Sequence, residues 1–232
     1  MKYKILSGST LKLLAMASML VDHLAAFLWK DSPDMLVPLF TYHAHTVTPY
    51  VLCRMFGRLA FPIFAFLVVE GFLHTRSRKR YALNLLLFAL LSELPWNLVH
   101  AGSAVLLRSQ NVLFTLLFGM LGMCLLEYYK EKPGRRALGV LGLFALAFFF
   151  HADYGFVGYG FILMLYVLRE LRPVQAVVGA CMLPSRWMAG LAFIPINLYN
   201  GERGFIRGRA GKYLFYSFYP LHLLVIRLLQ TC

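Results

Sequence analysis

Residues 11–29, LKLLAMASMLVDHLAAFLW, form an apolar run long enough to cross a bilayer, with Asp22 and His23 near its middle. A transmembrane helix takes roughly 20 mostly apolar residues, and a charged side chain at its centre costs about 2.5–3.5 kcal/mol on insertion scales. Ionisable groups at that depth turn toward a partner or a water-filled cavity and mark functional sites by default. The structural alternative is a neutral His23 bonded to a carbonyl, with Asp22 paired to a basic residue on another helix.

The rest of the chain is of the same kind. Of 232 residues, 60% are hydrophobic and only 14% charged, and the mean hydropathy is +0.67, more apolar surface than one soluble core of this size hides. An all-α, polytopic integral membrane helical bundle is expected, one domain over residues 1–232, since the loops are short and no internal repeat is seen. The net charge of +13 sits in short loops, which reads as topology and attraction to anionic lipid rather than nucleic-acid binding. Cys53, Cys124, Cys181 and Cys232 lack metal-ligand spacing and read as packing residues. His43 and His45 have no third ligand nearby, so no metal is expected. Lys2 and Lys4 before an apolar run resemble a signal peptide, but the run continues through Trp29, as in an uncleaved first helix.

Basic residues place the helix ends. Lys2, Lys4 and Lys12 put the N-terminus in the cytoplasm, and residues 31–50, without Lys or Arg, read as an external loop. Apolar runs at 51–73, 81–99, 112–129, 137–150 and 156–168 then alternate in direction, with basic loops at 74–80 and 130–136 inside. Trp96 at the far end of the third run reads as an interfacial anchor. Residues 174–199 are one long helix or two short ones broken at Pro184-Ser185-Arg186. Arg203, Arg207, Arg209 and Lys212 fall inside only if there are two. About nine spans are therefore expected, the last at 213–229, with eight as the alternative.

Polar residues from different runs share a depth. With a rise of about 1.5 Å per residue, His23 lies ~3 Å outside the middle of its run and Arg58 ~6 Å outside the middle of the next. Adjacent helix positions point about 100° apart. Asp22 is therefore expected to hold Arg58 or backbone while His23 faces a cavity. His222, after Pro220, adds a second mid-membrane histidine. Glu70, ~18 Å along the helix from Arg58, is expected to neutralise Arg76, Arg78 or Arg80. Those arginines and Lys79 are topology signals or a cytoplasmic mouth for a phosphorylated cofactor. Asn111 and Asp153-Tyr154-Gly155 lie at the external edge, lining an acceptor entrance or capping helices.

Leu11-Lys12, Asp22-His23, the stretch from Gly57-Arg58-Leu59-Ala60-Phe61-Pro62 through Phe66 to Glu70-Gly71, and Ser92-Glu93-Leu94-Pro95 resemble the TraX family in order and spacing. So do Asn111 with Phe114-Thr115, Asp153-Tyr154-Gly155, and the closing Tyr213-Leu214-Phe215-Tyr216 to Tyr219-Pro220-Leu221-His222-Leu223. The type member acetylates the N-terminus of pilin in conjugation systems, and the family is similar to transmembrane acyltransferases that use a membrane-embedded histidine. The resemblance implies a multi-pass protein of the bacterial inner (cytoplasmic) membrane, with acetyl-CoA as co-substrate and no metal. The implied acceptor is an amine or hydroxyl at the outer face: a pilin N-terminus, an envelope glycan or a lipid-linked sugar.

It makes His23 the catalytic base or transient acyl carrier, and Arg58 the electrostatic partner of the thioester or of Asp22. Candidate substrate contacts are His222, Tyr219, Asn111, Asp153, Tyr154 and Glu70, and candidate cofactor contacts are Arg76, Arg78, Lys79 and Arg80. Imidazole suits the proton transfer, and Arg58, His222 or Tyr219 could stabilise charge on the thioester oxygen. Expected partners are acyl-CoA, the acceptor and membrane lipid, with no nucleic acid and a homo-oligomer left open. Two other functions use the same residues: a proton-coupled transporter or channel, and a non-catalytic envelope assembly factor in which they only hold helices together.

Overall fold

The computed structural model describes residues 4–42, 45–106, 108–183 and 186–231. Lys2, His43, Pro184, Ser185 and Cys232 lie outside the described residues, and with them part of the reading of the N-terminus, the His43/His45 pair and the break in 174–199.

The elements follow the apolar runs. Ser7 caps α1 (Gly8–Leu24), accepting from the Thr10 amide, and a π-helical turn, Ala25–Trp29, continues it. The loop at 31–50, expected to be external, is more structured than the sequence suggests. It holds a short α2 (Pro33–Leu36) and a hairpin of β1 (Phe40–Tyr42) and β2 (His45–Val47), with Phe40 opposite Val47 and Tyr42 opposite His45. The run at 51–73 is broken into α3 (Pro49–Gly57) and α4 (Ala60–His74). Pro62 is the cause: it has no N–H for the Arg58 carbonyl, and its ring excludes that carbonyl from a regular turn. The Arg58 and Leu59 amides bond three residues back, to Met55 and Phe56. Ser18 Oγ on α1 donates to the carbonyls of Phe56, at 2.8 Å, and Gly57, at 3.3 Å. Backbone groups freed inside a bilayer need such a partner.

Next come α5 (Arg78–Ala101), capped by Ser77 and ended by left-handed Gly102, and α6 (Val112–Tyr128), capped by Asn111. They are followed by α7 (Pro133–Phe149) and α8 (Gly155–Val167). The region 174–199 folds as α9 (Arg172–Met182), α10 (Arg186–Leu191) and α11 (Phe193–Asn197). The eleven residues of α9 rise only about 16 Å, half a hydrocarbon core. The segment also starts and ends on one residue: the Arg172 guanidinium lies 4.9 Å from the Phe66 ring centre, and the Tyr199 ring lies 5.5 Å from it. Two crossings therefore do not arise here by helix length, and nine spans are not confirmed. The chain closes with α12 (Gly208–Thr231), which contains Pro220.

The bundle is apolar outside and polar inside. Leu87, Leu90, Leu91 and Leu94 on α5 and Leu221, Val225 and Leu228 on α12 are exposed, whereas Ser18, Ser92, Asn111, Thr115 and Gln175 are buried. Three helical stretches, Gly8–Trp29, Pro49–His74 and Arg78–Ala101, are long and apolar enough to cross a membrane, and Val112–Tyr128 and Gly155–Val167 are shorter apolar helices. This is a helical membrane protein.

Six helix pairs position the interior. α1 packs against α3, α4 and α12; α5 packs against α6 and α12; α6 lies on α8. The chain after α11 clamps the start of α1: Leu6 bonds Leu198 and Asn200, and the Gly8 and Ser9 amides donate to Glu202 and Arg203 carbonyls. Gly204, at φ +90, lets the loop turn there, where a Cβ would meet Ser7 Oγ at 2.3 Å. The starts of α1 and α12 thus lie at one end of the bundle, as the charge pattern requires.

Gly57 is where α1 and α3 come closest at the polar level. A Cβ there would lie 2.3 Å from both Cβ and Oδ1 of Asp22. Gly57→Ala is expected to destabilise the protein by about 1–3 kcal/mol, since Asp22 can move aside only by leaving its cation. Thermal unfolding in detergent checks this; unchanged stability would mean the two helices are not in contact there.

Candidate functional site

A cavity of about 1040 Å³ runs through the bundle, lined by α1, α3, α4, α5, the start of α6, the 153–154 turn and α12. Its polar centre is where the depth argument placed it. His23 Nδ1 lies 2.7 Å from His222 Nε2, and His222 Nδ1 lies 2.8 Å from the Phe218 carbonyl oxygen one turn back. His23 lines the cavity and His222 stands behind it. Both ring nitrogens of His222 are engaged and the residue is buried. It does not line the cavity, where the sequence expectation placed a substrate contact.

Asp22 points 100° away from His23, toward α3, as adjacent helix positions must. Its partner is Arg54 rather than Arg58: Arg54 Nη1 lies 2.8 Å from Asp22 Oδ2 and donates to the Asp22 carbonyl at 3.3 Å. The break after Gly57 explains the difference, since Arg58 no longer continues α3 and bonds Tyr154, beside Asp153. Asp22 Oδ1 is buried without a hydrogen-bond partner, as is Tyr219 Oη, among the described residues. Tyr219 lies in the cavity wall, with its ring 6.5 Å from that of His23.

Asp153 and Tyr154 also line the cavity. The Asp153 carboxylate accepts from the Tyr154 amide at 3.0 Å, its carbonyl accepts from Thr115 Oγ1, and Tyr154 stacks on Phe61 at 3.8 Å. Asn111 does not line it: the residue is fully buried, capping α6 and bonded to Glu93 and the Ala89 carbonyl. Of its two sequence readings, the helix cap holds. Trp96 is not an interfacial anchor, since it is 5% exposed, its indole N–H donates to the Ser109 carbonyl, and it faces the cavity. His100 packs tilted against Trp96 at 3.7 Å and meets Phe27 edge-on at 4.6 Å, forming an aromatic wall at one end of the cavity.

The opposite end is cationic. Lys12, Arg76, Arg80, Arg203 and Lys212 line the mouth, and none of them is in an ion pair with a carboxylate among the described residues. Arg78 and Lys79, expected here, are not in the lining; Arg78 lies over the Phe72 ring at 4.3 Å. Glu70 lines the cavity but does not neutralise the 76–80 cluster. It faces Arg172 at 3.6 Å and His74 at 3.8 Å. Arg54, His100, Lys12, Arg203 and Lys212 were not anticipated as site residues. Lys12 had a legible signal, because eleven residues are close to three turns and place it on the face of His23.

Imidazoles and guanidinium groups gathered inside a lipid-facing helical bundle, around one ligand-sized cavity, define a membrane protein with an internal polar site. The model of the family described as TraX protein matches residues 7–230. The chain belongs to the TraX family. It is 27% identical, over 95% of its length and 94% of the relative's, to a protein of Dichelobacter nodosus named "Probable fimbrial assembly protein FimC, serogroup H1". No solved structure matches the chain.

Proposed function

We propose that the protein is an acyl-CoA-dependent membrane acetyltransferase acting in the bacterial inner membrane, with the mouth between α1, α4, α5 and α12 on the cytoplasmic side. The observation that carries this reading is one cavity joining five unpaired cations to the edge of His23. Converging cations without counter-charge are costly unless an anion visits them, and phosphate groups suit them. Lys12 and His23 are separated by eleven positions of α1, about 16 Å of rise, so a donor held by its phosphates can extend its thioester toward the imidazole.

In that pose the acceptor nitrogen or oxygen attacks the thioester carbon and the C–S bond breaks. His23 Nε2 takes the acceptor's proton and returns it to the coenzyme thiolate, so the charges balance. Arg58 and Tyr219 are the donors available to the carbonyl oxygen as it gains charge. The fimbrial name of the relative favours a pilus-linked acceptor at the outer face, reached past Phe27, Trp96 and His100. For topology we propose seven crossings, α1, α3–α4, α5, α6, α7, α8 and α12, with α9 to α11 entering and leaving at the cytoplasmic end.

Acetyl-CoA is expected to stabilise the detergent-purified protein saturably, by about 2.7 kcal/mol at a hundred times its Kd. Lys12→Ala and Arg203→Ala should raise that Kd, whereas Lys79→Ala, off the cavity, should not. No thermal shift at millimolar acetyl-CoA in a folded sample would overturn the donor assignment and favour the assembly role named for the relative.

A further inference from the structure

The two histidines do not have equal roles, and the hydrogen-bond directions say which does what. A carbonyl oxygen only accepts, so the 2.8 Å contact to Phe218 requires a proton on His222 Nδ1. A neutral imidazole carries one N–H, which leaves His222 Nε2 as an acceptor. The 2.7 Å contact to His23 must then be a donation from His23 Nδ1–H. The remaining nitrogen of His23, Nε2, holds a lone pair, and no described residue bonds to it.

We propose that His222 is a positioning residue that locks His23 in the Nδ1–H tautomer, so that Nε2 meets the cavity as an unprotonated base. Which imidazole nitrogen carries the proton is set by the bond the other makes. Here the chain of bonds ends on a backbone carbonyl of the same helix turn and has no rotational freedom of its own. The rings enforce the same orientation: Phe218 lies over one face of His222, at 4.8 Å and 10°, while His23 meets His222 edge to edge and nearly coplanar, with centres 5.0 Å apart at 13°. Phe27 meets the edge of His23 at 5.6 Å, so the imidazole cannot flip without breaking these contacts.

The arrangement also handles the proton that His23 gains. Once Nε2 is protonated, the Nδ1 proton can pass to His222 Nε2 along the existing bond. The positive charge is then shared by two rings rather than left on one. No other groups are consumed, and returning the proton from Nε2 restores the starting tautomers.

This inference rests on the reading of His23 as the base, but its first test does not need turnover. Long-range 1H–15N spectra of histidine-labelled protein at pH 8, with the His23 signal assigned by its loss in His23→Gln, should show His23 protonated on Nδ1. His222→Phe should convert it to a mixture of tautomers, and His222→Gln, whose amide oxygen can accept the same proton, should keep it. In transfer assays His222→Phe should lower kcat by about 10²-fold or more while leaving acetyl-CoA stabilisation intact, with His222→Gln recovering to within roughly tenfold of wild type. A wild-type His23 protonated on Nε2, or an unaltered tautomer in His222→Phe, overturns the proposal; the wild-type spectrum decides even if that variant does not fold. A correct tautomer in a protein with no transferase activity would leave the positioning role standing and remove only the acetyltransferase reading.

Discussion

His23→Ala is expected to lower acetyl transfer by about 10²–10⁴-fold, the usual worth of a positioned general base, while the protein still inserts and folds. The fold should survive because His23 makes only one side-chain polar bond among the described residues, to His222, and the freed acceptor nitrogen faces the space the imidazole leaves. Losing such a bond costs about 1–2 kcal/mol, less than the usual stability of a domain. The cationic end of the cavity lies three helical turns away and should be unaffected, so acetyl-CoA is expected still to stabilise the variant. The measurement is transfer of labelled acetyl groups to envelope extract by vesicles of wild type and variant, matched for folded protein. Turnover within a few-fold of wild type would remove His23 from the chemistry. A large loss would also separate catalysis from an assembly role, because partner binding has no reason to depend on an imidazole facing an internal cavity.

Arg54→Met should be the most destabilising single change at the site. Asp22 already has one buried oxygen without a partner, and its other oxygen depends on Arg54 at 2.8 Å. The pair is mostly shielded, with 16% of the Asp22 side chain and 26% of that of Arg54 exposed. Removing one member of a buried pair costs about 3–5 kcal/mol, chiefly because the other charge is left alone; the residual exposure points to the lower end. Asp22→Asn added to Arg54→Met should therefore recover much of the loss, a non-additivity that a double-mutant cycle of unfolding in detergent measures. Arg58→Met should cost less and show no rescue by Asp22→Asn. Equal costs for the two arginines, or strict additivity, would show that Arg54 is not the counter-charge of Asp22.

The comparison of Arg54 with Arg58 shows what a sequence can and cannot convey here. Depth along a helix is a one-dimensional quantity, so the level shared by His23 and His222 was readable from residue counting. Which of two arginines one turn apart meets Asp22 depends on where the helix breaks. That break is a joint effect of Pro62 and of Ser18 on another helix, and it leaves Arg58 bonded to Tyr154. Charge in loops likewise grouped the 201–212 loop with the N-terminus, and the 198–206 loop does lie against the start of α1. It could not reveal that the 174–199 segment is too short in its pieces to cross. Arg76 and Arg80 reached the mouth, but Arg78 and Lys79 did not, because successive residues at a helix start point in different directions. The other cations of the mouth come from α1, α12 and the loop between α11 and α12, which only folding brings together.

The cavity also dictates what would block it. Lys12 at its cationic mouth and His23 at its imidazole end are carried by one helix, so the distance between these two does not vary with loop motion. A rigid two-headed inhibitor, anionic at one end and uncharged at the other, with a spacer of about 16 Å, would engage both. Binding of the first head makes the second intramolecular, and affinity can rise well beyond that of either fragment. A shorter or longer spacer forfeits that gain, so potency plotted against spacer length would act as a ruler for the interior.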